Sequence, residues 1–390
     1  MPLLPVLLLS ALVHAWVAWR LAPALALLSP AVAVAVWAWA GLSSLLVPLG
    51  MLARKVAGQG AAVALTWLGL LAMGLLSSAV VLTLGRDALL VLALGAALLL
   101  PDGVPLDALQ LWSAVVVTLL ALAATLWGFW NARRTAAVVR VDVPVVGLPA
   151  ALHGFTVAQI SDVHVGPTIK GRYLQRIVAK VNRLGADMVA ITGDLVDGRV
   201  ADLAGHVAAL QGLSSRHGTF FVTGNHEYYS GASAWVAELR RLGVQVLMNQ
   251  HVVLRHTAPS SSGGQHSAPL LVAGVTDYGA HQFDEAQRSS PQAALAGAPG
   301  GQLFKLLLAH QPRSAEAAAE AGFDLQLSGH THGGQFWPWN LFVRFQQPFT
   351  AGLHKLQQLW VYTNSGTGYW GPPKRFGVPS EITHLRLIPG

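Results

Sequence analysis

The 390-residue chain contains no cysteine. That excludes disulfides, thiolate metal sites and a cysteine nucleophile, so any bound metal must be held by nitrogen and oxygen ligands. Charge is the second scarcity. Only 11% of residues are Asp, Glu, Lys or Arg against 53% hydrophobic, at a mean hydropathy of +0.49, which is too apolar for an ordinary soluble protein. The scarcity is local: residues 1–130 hold just Arg20, Arg54, Lys55, Arg86, Asp87, Asp102 and Asp107. Two compartments therefore share one chain. The formal net charge is +7, but Lys and Arg form no contiguous basic block, so no nucleic-acid partner is expected. An anionic membrane surface or a phosphorylated substrate accounts for the basic excess.

Residues 3–19, 21–48 and 61–84 are apolar runs, each long enough for a helix of about 20 residues across a bilayer core. Trp16, Trp19, Trp37, Trp39, Trp67, Trp112, Trp127 and Trp130 include several near run ends, where indoles favour the lipid–water interface. A signal peptide is a poor reading, because no basic n-region precedes the first run and apolar runs continue past any cleavage point. The third run is expected to stop at Arg86-Asp87. Residues 88–100 then form a short apolar piece that spans, lies flat or re-enters, and 109–130 is the last span. The count is four or five. Placing Arg133, Arg134 and Arg140 inside puts Arg54 and Lys55 inside with four spans, which favours a cytoplasmic face for the residues beyond the last span; five spans reverse it.

Beyond Val141 the texture changes to short β-rich runs alternating with amphipathic helices, the pattern of a layered α/β domain. Residues 155–160, 187–192, 219–223, 270–275, 303–309, 323–327 and 359–363 read as strands. Leu174, Ile177, Val178, Val181 and Leu184 make one apolar helical stripe stopped by Gly185, and 313–321 reads as another helix. The Ser- and Gly-rich stretch 257–267 reads as a hairpin loop. The organisation expected is a membrane region at 1–131, a linker and first strand at 132–152, and a catalytic domain at 153–390.

Polar residues follow the strands in a suggestive order. The first strand runs into Asp162-Val163-His164, the second into Gly193-Asp194, the third into Gly224-Asn225-His226, the fifth into His310, and the sixth into Gly329-His330-Thr331-His332. Each piece alone has an ordinary explanation as a capped turn or helix N-cap. Together, at successive strand ends of an α/β sheet, they can converge on one site, and neutral imidazole is the commonest protein metal ligand.

This order resembles the calcineurin-like metallophosphoesterases over roughly residues 153–388, and is similar to their membrane-anchored branch in runs such as Gly224-Asn225-His226-Glu227-Tyr228-Tyr229. The resemblance implies an all-α transmembrane region followed by a four-layer α/β/β/α sandwich of two mixed sheets. It implies two divalent or trivalent metal ions (Mn, Fe, Zn or similar), one held by Asp162, His164, Asp194 and His332, the other by Asp194, Asn225, His310 and His330. A shared carboxylate such as Asp194 offsets the repulsion between two cations about 4 Å apart, and such a pair activates water for attack on phosphorus. His226 is the expected catalytic residue, acting on the phosphoryl oxygens or the leaving group.

The activity so implied is a membrane-anchored phosphohydrolase cleaving a phosphoester or pyrophosphate, with a phosphorylated small molecule or lipid as substrate and membrane lipids as partners, in the cytoplasmic membrane of a bacterium. The alternative is a non-catalytic scaffold or metal sensor retaining the fold, although no ligand position is lost. Other residues stay open between readings. Asp197 either orients a histidine or pairs with Arg199 or Arg172. Glu227 supports His226 or caps a helix. Residues 364–368 cradle a phosphate or are simply a glycine-rich loop. Lys374 and Arg375 meet an anionic substrate or face solvent. Phe336, Trp337, Trp339 and Phe342 are core or a bilayer-surface element.

Overall fold

The computed structural model describes residues 3–56, 58–100, 103–259, 264–301 and 303–390. The chain divides into two compact units, one formed by residues up to Arg133 with Gly371–Phe376, the other by Arg134–Trp370 with Gly377–Gly390.

The first unit contains α1 (Leu3–Leu25), α2 (Pro30–Val56), α3 (Gln59–Leu99) and α4 (Leu106–Arg133). All four are long and apolar enough to cross a membrane. Among the described residues four helices qualify, and the expected break at Arg86-Asp87 is absent: α3 runs unbroken for 41 residues, roughly 60 Å at 1.5 Å per residue. The charges do not stop the helix because they are partnered. Arg20 clasps the Asp87 carboxylate at 2.8–3.0 Å. Arg86 donates to the Ser113 hydroxyl at 3.0 Å and to the carbonyls of Gln110 and Arg20 at 3.0 and 3.2 Å. Buried charge is tolerated when it is paired and hydrogen-bonded. Helices α2 and α3 cross at glycine, where a Cβ on Gly69 would meet the Leu46 carbonyl oxygen at 2.4 Å. Small residues allow this approach where lipid offers no hydrophobic drive. Within the same unit Lys374 is buried, donating to the Gly74 carbonyl at 2.9 Å and the Ser78 hydroxyl at 2.5 Å, so it does not face solvent.

The second unit has two six-stranded mixed sheets. One has the order β1 (Ala137–Val145), β12 (Glu381–Pro389), β2 (Thr156–Ile160), β3 (Met188–Ile191), β4 (Thr219–Phe221), β5 (Gln245–Val246). The other has the order β10 (Gly352–Leu356), β11 (Leu359–Thr363), β9 (Leu325–Ser328), β8 (Phe304–Leu308), β7 (Gln265–Gly274), β6 (Gln250–Pro259). Strands β2 to β5 are mutually parallel, as are β7, β8, β9 and β11, while β12 runs antiparallel to β2. The β6–β7 hairpin is longer than the loop reading at 257–267 allowed, and its tip, 260–263, lies outside the described residues.

Strand alternation builds the core. Val157, Met188, Ala190 and Phe220 from one sheet meet Leu270, Val272, Leu306, Leu308, Leu325 and Leu327 from the other. The opposite set, Leu271, Ala273, Leu307 and Val361, packs under α9 (Pro291–Ala294) and α10 (Ala315–Glu320). Helices α5 (Gly171–Asn182), α6 (Val200–Val207), α7 (Asn225–Ser230) and α8 (Ala232–Arg241) fall between the parallel strands of the first sheet. In α5 Leu174, Ile177, Val178 and Val181 of the predicted stripe are buried, while Leu184 lies past the helix end and is half-buried.

Candidate metal centre

Every expected ligand sits just beyond a strand. Asp162 and His164 follow β2, Asp194 follows β3, and Asn225 opens α7 after β4. His310 follows β8, and His330 and His332 follow β9.

The side chains form two sets. His164 Nε2 lies 3.0 Å from His332 Nε2, which is 3.4 Å from Asp162 Oδ1. His310 Nε2 lies 3.2 Å from Asp194 Oδ2 and 3.1 Å from His330 Nδ1. Asp194 joins the sets, its Oδ2 being 3.9 Å from His164 Nε2. The two histidines of the turn therefore face different sets. A third group, His164, Asp194 and His226, converges as tightly.

These residues fit divalent metal. Imidazole nitrogens meet one another in both sets, an arrangement that a shared cation explains better than a shared proton. The Asn225 Oδ1 atom is buried and accepts no hydrogen bond among the described residues, and an orphaned buried acceptor needs a partner. Burial first, then the charge of His310, depresses His330 to about 3, so it presents the neutral imidazole that ligates metal. Burial raises Asp162, with His310 and His164 pulling down and Asp194 pushing up. Burial likewise opposes charge on Asp194 and His310, but their mutual attraction wins, lowering the acid and raising the base. With His310 deprotonated on binding, oxygen and imidazole donors of this mix suit Mn, Fe or Zn.

The backbone is bent to make this possible. Asp162, His164, Asp194, His330 and His332 all have positive φ, between 50° and 70°, a region costing a non-glycine residue on the order of 1 kcal/mol. Neighbouring loops hold them there: the amides of Asp162 and His164 donate to the carbonyls of Gly193 and Asp194, both at 3.1 Å. Glycine is needed where the loops touch. A Cβ on Gly329 would lie 1.9 Å from Ser161 Oγ and 2.2 Å from Asp162 Oδ2.

His226 stands beside the sets. Its amide donates to Asp194 Oδ1 at 2.9 Å, and its Nδ1 lies 2.5 Å from Asp197 Oδ1. Burial opposes charge on its ring, but the Asp197 hydrogen bond and the Asp194 carboxylate prevail and push it up to about 9. The same Asp197 oxygen accepts from His164 Nδ1 at 3.1 Å, so of the readings open for Asp197 the structure takes the histidine-orienting one, while Arg199 lies 3.8 Å from Asp202. Glu227 does not touch the His226 ring through any hydrogen bond among the described residues. Its carboxylate accepts from the amides of Asp194, Leu195, Val196 and Gly224 at 2.7–3.3 Å, tying two ligand loops together and capping α7. Burial and the Asp194 carboxylate push it up to about 8, against four N–H donors that favour the ionised form.

The phosphate-cradle reading of 364–368 is overturned. The five amides from Asn364 to Gly368 donate to Ser328 O, Glu381 Oε1, Asn364 Oδ1, Ser161 O and Asp162 O, so none is left for a ligand. Sequence reasoning also passed over Tyr229 and Trp370, whose exposed rings lie 5.3 and 5.7 Å from that of His226. Tyr229 stands three residues after His226 and was within reach of helical spacing; Trp370 had no local signal.

Residues 155–334 match the model of the calcineurin-like phosphoesterase family. A Bos taurus protein named transmembrane protein with metallophosphoesterase domain is 39% identical over 274 residues, covering 67% of this chain and 59% of its own length. Its Danio rerio namesake is 35% identical over 285 residues, covering 69% and 62%. A Campylobacter jejuni protein named as an uncharacterized metallophosphoesterase is 34% identical over 259 residues, covering 66% and 64%. The chain thus spans about three fifths of the length of these relatives.

Proposed function

The chain carries a calcineurin-like phosphoesterase domain, and from that premise we propose that it is a membrane-anchored phosphohydrolase with a dinuclear metal centre. The observation that supports this most is the pair of His/Asp sets joined at Asp194 with His226 beside them. Asp162, His164, Asp194 and His332 would hold one cation, and Asp194, Asn225, His310 and His330 the other. When bound, the pair supplies the charge that activates a water and offsets the negative charge on the phosphoryl oxygens.

The side chains then divide the remaining work. His226, held charged by Asp197, faces the leaving side of the substrate and donates its Nε2 proton to the departing oxygen or to a phosphoryl oxygen. Asp197 fixes two imidazoles at once, His226 and the ligand His164, so that both point their Nε2 atoms inward. Glu227 keeps the loops of Asp194 and Asn225 in register. Of the possible substrates we favour a phosphodiester or pyrophosphate in a lipid or lipid-linked nucleotide, because the domain travels with four membrane helices. With four spans, Arg54-Lys55 and Arg133-Arg134 share one face, and the positive-inside rule assigns it to the cytoplasm; a reporter fused after Arg140 reads the side directly.

The test is hydrolysis of a chromogenic phosphodiester by the full chain with Mn(II). Activity is expected to vanish with chelator and return with metal, and His226→Ala is expected to lower turnover roughly 100- to 10,000-fold. Full activity in the presence of chelator would refute the proposal.

A further inference from the structure

Eleven large apolar side chains are exposed among the described residues of the second unit, and five of them, Trp337, Trp339, Leu341, Phe342 and Phe345, crowd into nine consecutive positions. Their exposure runs from 43% at Trp337 to 74% at Phe345. The rings form a ladder, with Trp339 6.0 Å from Phe342 and Phe342 6.5 Å from Phe345. A patch of this kind on a folded domain marks an interaction surface.

The ladder is held firmly. A Cβ on Gly334 would come within 2.1 Å of the Asn340 Cα, so the first turn lies flat against the ligand loop. At the other end buried Gln347 accepts from the Arg313 amide at 3.3 Å and donates to Gln311 at 3.2 Å, and the Thr331 hydroxyl donates to the Thr350 carbonyl at 2.6 Å. Both anchors are neighbours of ligands, His310 and His332. Exposed rings also lead from the ladder to the centre. Gln335 and Trp370 exchange two hydrogen bonds at 2.8 and 2.9 Å, the Trp370 ring flanks His226 at 5.7 Å, and beyond His226 stand Tyr229 and Phe283, 5.7 Å apart.

Charge names the occupant. From Leu325 to Ser380 the chain has no Asp or Glu, and Arg344 sits within the ladder with its guanidinium over the Phe345 ring at 5.2 Å. Trp, Phe and Arg without acid is the composition of an element lying in the headgroup region of an anionic bilayer. Four apolar helices tether the domain to such a surface already, so little further freedom is lost on docking.

We propose that residues 337–345 form a bilayer-interface platform that seats the mouth of the metal centre on an anionic lipid surface, so that the phosphate presented to it belongs to a membrane lipid. The second half rests on the phosphohydrolase reading; the first does not.

The absence of native cysteine makes the test direct. Full-length Phe345→Cys, labelled with a nitrobenzoxadiazole maleimide in phosphatidylcholine–phosphatidylglycerol vesicles, should be quenched roughly twofold by brominated acyl chains, as for groups at the headgroup–acyl boundary. A label at the exposed Val146, introduced as Val146→Cys, should not. Equal response at the two sites overturns the platform and points to a protein partner instead. In parallel, Phe342→Ser/Phe345→Ser should keep the parent rate on a water-soluble chromogenic diester and lose roughly tenfold on the same chromophore diester carrying an acyl chain in those vesicles, the loss of a few buried anchors. Equal loss on both overturns the lipid-delivery half. A parent chain inactive on the soluble diester would sink the hydrolase reading while leaving the quenching result to decide docking.

Discussion

Replacing Glu227 by glutamine tests whether a buried carboxylate clamps the ligand loops. In the native protein Oε1 accepts from the amides of Leu195 and Val196, and Oε2 from those of Asp194 and Gly224. Glutamine keeps one oxygen, so whichever way its amide is turned, two buried N–H donors face an NH₂ group. An unsatisfied buried donor costs about 1–3 kcal/mol, which makes roughly 4 kcal/mol for the pair. In a domain of this size 1 kcal/mol shifts Tm by about 2–4 °C, so Glu227→Gln should melt roughly 8–16 °C below the parent. The assay is thermal unfolding of the full chain in detergent at fixed Mn(II), with Glu285→Gln, whose side chain is 72% exposed, as a partner expected to leave Tm unchanged. The proposed hydrolysis of the chromogenic diester should fall along with Tm, because Asp194 is displaced. A Glu227→Gln protein that melts with the parent would refute the clamp.

Other substitutions probe the same geometry. Gly329→Ala should abolish both diesterase activity and the rise in Tm on adding Mn(II), since its Cβ would collide with Ser161 and Asp162; a preserved Mn(II)-dependent rise would contradict this. Asp197→Asn leaves an acceptor without charge for His164 and His226, and steady-state kinetics should show a loss of roughly 10- to 100-fold with the fold intact by circular dichroism. In the helical unit, Gly69→Val should destabilise the α2–α3 crossing by about 1–3 kcal/mol, read by unfolding in mixed micelles. Gly41→Val, where a Cβ meets nothing within 4 Å, should be tolerated far better.

What was legible in the chain was whatever depended on neighbours in sequence. The clustering of the Asp and His side chains could be anticipated because a β-strand followed by a polar residue is a local pattern, and five strands carried it. Strand β12 escaped notice because buried Thr383 and half-buried His384 interrupt its apolar alternation, and β5 is only two residues long. Failures elsewhere share one cause, a distant partner. Arg86-Asp87 looked like a helix end until Arg20, Gln110 and Ser113 supplied their hydrogen bonds. Residues 364–368 stay open between an anion cradle and a plain loop in the sequence, and Ser161, Asp162, Ser328 and Glu381 decide it by accepting from their amides. Lys374 looked like surface because nothing near it in sequence reveals Gly74 and Ser78.

The left-handed Asp and His residues of the candidate centre have a consequence for the life of the protein in a cell. Loops kept in costly conformations are the first to open when what holds them is withdrawn, and a ligand that binds only the closed form holds them by mass action. An empty copy would therefore expose Gly193-Asp194 and Gly329-His330 to proteases sooner than a filled one. Under the dinuclear proposal, turnover would sort copies by whether the two sets were filled, with no dedicated sensor.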